Sequence, residues 1–296
     1  MISKTALLES IRAGLAEATG RAGDLHWVQD LSGGDINRAA RIRGGNRDWF
    51  VKYRDNAPAG MFEAEARALA EISASGCIRV PAAIAWGSED DTAWLVLEHL
   101  ELLSSGPAAL LGEQLAALHQ VSRDRFGWSM DNYIGTTPQL NRPSDDWAGF
   151  WRDCRLGPQL AMACAAGHGG RLNDTGERLL DGLDQLLQDH EPSASLLHGD
   201  LWAGNKAFTP AGQPVIFDPA SYYGDRETDI AMTELFGGFE PAFYSAYRSV
   251  SPLPAGYPLR RELYKLYHVL NHLNLFGSAY LSRCERTIDA LLAQIA

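Results

Sequence analysis

Three things are scarce in this sequence. Cysteine is the first: the four that occur, Cys77, Cys154, Cys164 and Cys284, show no short paired spacing. That excludes a structural zinc motif and a disulfide framework. Positive charge is the second. Twenty-six Lys and Arg stand against 37 Asp and Glu, a net charge of −11, so the chain lacks the basic face that a phosphate backbone requires and nucleic acid is not an expected partner. The third is any apolar run of membrane-spanning length. Residues 1–20 mix Lys4, Glu9, Arg12 and Glu17 with apolar side chains and read as an amphipathic helix rather than a signal peptide. No membrane partner is expected, and a reducing cytoplasm is the expected location.

What is present is an ordinary globular composition, 46% hydrophobic and 21% charged over 296 residues, enough for two lobes with real cores. Strand patterns over 36–43 and 48–53 flank Gly44-Gly45-Asn46, a hairpin turn. A helical pattern over 61–75 stops at Gly76, and an apolar run over 92–99 suits a buried strand. Beyond Pro107 helices dominate, over 111–121, 146–166, 173–188, 226–236 and 259–277, with short strands near 196–198, 206–208 and 215–217. A strand-rich start followed by a helical remainder predicts an α+β chain with an N-terminal lobe over 1–99 and a C-terminal lobe over 100–296.

The chemistry concentrates in His198-Gly199-Asp200-Leu201-Trp202-Ala203-Gly204-Asn205 and, after a further strand, Asp218. Asp200 and Asn205 are five positions apart and Asp218 follows Asp200 by eighteen. Phosphoryl transfer of the kinase type needs this set: a carboxylate for the acceptor hydroxyl, then an amide and a second carboxylate for Mg2+ on the phosphates of ATP. Each residue alone is a common loop residue; the set between two strands is specific. His198 reads as a structural support, and Asp229 as a cap or brace beneath the loop.

Upstream, strand alternation places Phe50 and Lys52 on one face and Trp49, Val51 and Tyr53 on the other. A lysine within an apolar strand needs an anion, and the ATP α/β-phosphates supply one. On the next helix, at about 100° per residue, Glu65 borders the apolar stripe while Glu63 points away, so Glu65 is the expected partner of Lys52. Gly33 and Gly34, in a small-residue turn before the hairpin, could bring backbone N–H groups to phosphate. Glu98 to Leu100 would offer backbone groups to adenine. Trp202 suits the apolar face of a sugar, with core packing as the competing reading, and His272 on a C-terminal helix is a further substrate candidate that also suits a hydrogen-bonded core position. Asp225 and Glu227 would attract a protonated amine or simply be solvated.

Longer strings sharpen the picture. Leu196 to Trp202, Pro214-Val215-Ile216-Phe217-Asp218-Pro219-Ala220-Ser221-Tyr222-Tyr223-Gly224, Glu234 to Phe239, Phe243 to Tyr247 and Leu270-Asn271-His272-Leu273-Asn274 closely resemble the fructosamine kinase (ketosamine-3-kinase) family. The resemblance runs from about Gly33 almost to the C-terminus. It implies a protein-kinase-like fold and transfer of the ATP γ-phosphoryl group to the sugar O3 of a ketosamine, free or on a protein lysine, after which the 3-phosphate eliminates and the amine is recovered. Two departures stand out. Asp35 occupies a position where family members often carry a cysteine, and Asp218 precedes Pro219-Ala220 rather than the Phe-Gly of protein kinases. The alternatives are a kinase for another hydroxylated amine (an aminoglycoside or a choline-like alcohol), a non-catalytic ATP-binding regulator, and a metal hydrolase, for which no further ligand set is evident.

Overall fold

A computed structural model describes residues 2–21, 23–31 and 36–295. The chain divides into two compact units, Met1–Pro107 with Lys206–Pro219, and Ala108–Asn205 with Ala220–Ala296.

The first unit is built on a five-stranded antiparallel sheet. Helix α1 (Lys4–Thr19) is followed by β1 (Leu25–Leu31), β2 (Arg38–Gly44), β3 (Arg47–Asp55), α2 (Met61–Ser75), β4 (Ala83–Glu89) and β5 (Thr92–Glu98), and the sheet order is β1-β2-β3-β5-β4. The Ser3 hydroxyl accepts from the Ala6 N–H at 3.1 Å and starts α1. Leu7, Ile11 and Leu15 then repeat every fourth residue and pack in one core with Trp49, Val51, Tyr53, Trp94 and Val96. Alternation along β3 therefore turns Lys52 away from that core. The second apolar stripe, Phe62, Ala66, Leu69 and Ile72, is buried on α2.

The expected division at 99/100 is contiguous, whereas the first unit runs to Pro107 and takes back a later hairpin, Lys206–Phe208 with Pro214–Ile216. Backbone pairing holds it there. Leu103 and Phe208 exchange two N–H···O bonds of 2.7 and 2.9 Å, and the Ile216 N–H donates to the Arg79 carbonyl at 3.0 Å.

The second unit is mainly helical. Helix α3 (Ala108–Leu118) packs on the helix Pro241–Val250, and a side chain at Gly112 would strike the Phe243 carbonyl oxygen at 2.3 Å; glycine permits that approach. The long helix Tyr257–Phe276 buries eleven residues and lies against Glu227–Thr233 and Leu281–Leu292. The helix expected over 146–166 begins at Trp147 but widens into a π-turn at Arg152–Leu156. Pro158 explains it, because its ring cannot face the Cys154 carbonyl in a regular turn and has no N–H to donate. That carbonyl accepts instead from the Arg155 guanidinium at 2.8 Å. No helix among the described residues is long and apolar enough to cross a membrane.

Candidate functional site

In the first unit, β3 and α2 bring the Lys52 ammonium to the Glu65 carboxylate at 2.6 Å. Asp218, just past the returning hairpin, bonds the same ammonium. Burial opposes the charge on Lys52, but the two carboxylates outweigh it and hold its pKa above the ordinary lysine value. Burial and the neighbouring Asp218 push Glu65 upward, with Lys52 pulling the other way. Asp218 has a left-handed backbone, φ 60°, and its side chain remains 41% exposed. Glu63 instead meets Arg67 at 2.7 Å on the helix surface.

The Glu98 side chain is occupied: it accepts from Arg79 at 2.5 Å and from the Ala82 N–H at 3.2 Å. Its own N–H donates to the Ala82 carbonyl at 2.9 Å. Leu100 is half-buried just beyond β5. Gly33 and Gly34, with Asp35, lie outside the described residues.

In the second unit the strand Ala194–Leu196 leads into the loop that carries Asp200. A buried acid fixes its backbone. Asp229 accepts from the His198 N–H at 2.7 Å and the Gly199 N–H at 2.8 Å, while His119 contacts the same carboxylate at 3.1 Å and Tyr247 at 2.8 Å. Burial opposes ionisation of Asp229, yet these donors keep its pKa below the usual carboxylate value. Gly199, at φ 84°, lies so near the Ala220 carbonyl that a Cβ would come within 2.1 Å of its oxygen. Asp229 is thus a brace, and His198 is a fully buried support whose Nδ1 lies 3.2 Å from the Asp200 N–H.

With its backbone fixed, the Asp200 carboxylate stays 24% exposed. The Asn205 Nδ2 donates to the Asp200 carbonyl at 2.8 Å, which turns its Oδ1, a suitable hard-cation ligand, to other use. Trp202 is 39% exposed, so the core-packing reading does not hold. It begins a row of rings: Phe236 lies 6.3 Å from it, His272 4.9 Å from Phe236, and Phe276 and Tyr280 5.4 and 5.3 Å from His272. The His272 Nδ1 lies 2.8 Å from the carbonyl of His268 on its own helix, an internal hydrogen bond that suits a structural part.

Asp225 and Glu227 correct the solvated reading, for both are buried. Arg260 donates twice to Glu227, at 2.7 and 2.8 Å, and the Tyr264 hydroxyl donates to Asp225 at 2.6 Å. With His190, also 2.6 Å from Asp225, they come close enough for a metal, but Arg260 already takes both oxygens of Glu227. His268 carried no sequence signal, being one apolar-spaced position among many on its helix. It is buried, 4% exposed, with Nδ1 3.9 Å from an Asp200 oxygen.

The family model for fructosamine kinase matches residues 7–294. The protein of Synechocystis sp. named "Probable ketoamine kinase slr1563" is 42% identical over 294 residues, covering 98% of this chain and 99% of its own. The crystal structure named "Putative fructosamine-3-kinase" from Haemophilus somnus 129PT superposes with a TM-score of 0.87 at 30% identity, covering 95% of this chain and 96% of that one. A thermostable mutant of aminoglycoside phosphotransferase APH(4)-Ia, in a ternary complex with ADP and hygromycin B, gives a TM-score of 0.62 at 17% identity over 97% of this chain and 99% of its own, a likeness of fold alone. The α+β architecture is therefore the protein-kinase-like one.

Proposed function

The chain belongs to the fructosamine kinase family, and on that premise we propose that it transfers the γ-phosphoryl group of ATP to the sugar O3 hydroxyl of a ketosamine. Ribulosamine, erythrulosamine and fructosamine adducts of amines or protein lysines are the acceptor class. The observation that carries the reading is Asp200: a carboxylate open to a ligand on a loop whose backbone is tied to a buried acid.

Asp200 accepts the hydrogen bond of the acceptor hydroxyl, orients it in line and takes its proton as the oxygen–phosphorus bond forms and the bond to the ADP oxygen breaks. Lys52, held by Glu65, binds the α/β-phosphates. Gly33 and Gly34 lend backbone N–H groups to the phosphates, and Glu98 and Leu100 meet adenine. Asn205, through its amide oxygen, and Asp218 are the proposed Mg2+ ligands; the ion, when bound, neutralises charge on the phosphate oxygens. Trp202 lies under the sugar, with His272 supporting that ring row. The 3-phosphate then eliminates and releases the amine, which makes the reaction a deglycation repair. We place it in the cytoplasm, where ATP is supplied and all four cysteines remain thiols.

The test is an acceptor panel with Mg-ATP: ribulosyl-, erythrulosyl- and fructosyl-lysine against aminoglycosides and choline, with ADP release measured and the phosphate position read by NMR. Turnover of ketosamines with phosphate on O3 is expected. Turnover of an aminoglycoside or choline alone would replace this reading with the other amine kinase.

A further inference from the structure

We infer that His268 is an acceptor-binding residue that, together with Asp200, seats the hydroxyl to be phosphorylated, holding it through Nδ1. The inference deepens the proposed function, since it rests on Asp200 as the group that receives the hydroxyl proton.

The ring nitrogen Nδ1 of His268 is buried and has no hydrogen-bond partner among the described residues. Buried polar atoms of folded proteins are almost always satisfied, so one that is not calls for an account. It faces Asp200 Oδ1 at 3.9 Å, too far for a direct hydrogen bond. The ring is not an imidazolium drawn to a carboxylate either. Burial, helped by His272 one turn along the helix, pushes its pKa down to about 3, so the imidazole is neutral at working pH.

A separation of 3.9 Å is what one oxygen atom would bridge. At about 2.8 Å from each atom, a hydroxyl oxygen meets both at roughly a right angle, with ordinary hydrogen-bond lengths. The negative Asp200 favours the tautomer that points N–H toward it. Nδ1–H then donates to one lone pair of the hydroxyl oxygen, the hydroxyl donates to Asp200, and the second lone pair is left for attack on phosphorus. Asp200 receives the proton; His268 neither gains nor loses one. Two contacts fix the direction of that lone pair where one would leave the hydroxyl free to rotate about its bond to Asp200. His272, one turn further on, has its own Nδ1 hydrogen-bonded to the helix backbone, so the two histidines have different parts.

The variants are His268→Leu, His268→Asn and His268→Gln in the full chain. An asparagine amide reaches the Nδ1 position; a glutamine amide reaches toward Nε2. His268→Leu should raise KM for the acceptor and lower kcat, at least tenfold in kcat/KM, with KM for ATP unchanged. His268→Asn should recover most of that loss and His268→Gln little. The thermal midpoint of His268→Leu should match or exceed that of the parent, because an unsatisfied polar atom is replaced by an apolar one. The pH-rate profile should keep its shape. Equal losses in the Leu and Asn variants, equal changes in KM for ATP and acceptor, or unchanged kinetics in His268→Leu would overturn the inference. The measurements use whichever acceptor the panel identifies, and slow transfer to water if it identifies none. Failure on ketosamines would then remove the proposed substrate while the Leu and Asn contrast still decides the role of His268.

Discussion

The two units hold their key carboxylates in opposite ways. In the first, charge is pooled: one buried ammonium, Lys52, is shared by Glu65 and Asp218, and the two carboxylates keep it charged against its burial. In the second, the acid beneath the Asp200 loop, unlike Glu227 with its Arg260, has no lysine or arginine bonded to it among the described residues. Asp229 is held by two backbone N–H groups and His119, and the acid assigned to chemistry, Asp200, is carried on the loop that Asp229 fixes. Ion pooling suits a group that must stay charged to hold a polyanion. Backbone anchoring suits a carboxylate that must accept and release a proton, because a neighbour's bonds to the loop backbone supply its orientation.

The largest effect should come from separating those two tasks in the second unit. Asp200→Asn preserves shape and removes the proton acceptor, so kcat should fall by roughly 10²–10⁴-fold. ATP affinity and the thermal midpoint should be nearly unchanged, since that side chain stays open to solvent. A large loss of stability on this change would instead make Asp200 part of the anchor. Initial rates and a thermal melt decide it.

Asp229→Asn should show the reverse balance. It withdraws an anion from three buried donors, at a cost of about 2–4 kcal/mol in folding stability, and it lowers kcat less than Asp200→Asn does. The pH dependence carries the sign. Asp229 has a folded pKa below its unfolded value of 3.8, so its contribution is complete above the unfolded value and is lost as pH falls through the folded one. Denaturant melts of parent and variant should converge as the solution is acidified. A constant gap down to strongly acid pH would show that Asp229 does not act through its charge.

How far these features could be read from sequence depends on how local their causes are. The face of Lys52 follows from strand alternation, and the choice of Glu65 over Glu63 from helical rotation, both set within a dozen residues. The loop of Asp200 and Asn205 is equally local. By contrast, Asp225 and Glu227 have the look of solvated loop acids, because Arg260 and Tyr264 arrive from more than thirty positions downstream. The strand β1 lacks a clean alternation, because its pairing with β2 shifts register between Trp27 and Gln29 and most of it is exposed, whereas Pro241–Val250 and Leu281–Leu292 each carry an apolar side at helical spacing. The return of Lys206–Phe208 and Pro214–Ile216 to the first unit depends on pairing with Leu103 and Arg79, which no local pattern announces. His268 was hidden for a similar reason, since only its distance to Asp200 distinguishes it from neighbouring buried side chains.

The smallest contrast is the sharpest test of the pooled charges, because it compares two glutamates on one helix. Glu65→Gln keeps the volume beside Lys52 and leaves Asp218 as the one anion on its ammonium among the described residues. Asp218 is also a proposed Mg2+ ligand, so nucleotide binding then draws on a lysine that is less firmly placed. Loss of one charge-assisted hydrogen bond of about 1.5 kcal/mol corresponds to roughly a tenfold rise in KM for ATP. Glu63→Gln, two residues earlier, breaks only a surface pair with Arg67, and both stability and KM should stay within about 0.5 kcal/mol of the parent. Glutamine at either position removes the same formal charge from the whole chain, so long-range electrostatics cannot account for a difference between them. If both variants shift KM for ATP alike, the effect belongs to the helix surface or to net charge, and Glu65 has no special hold on Lys52.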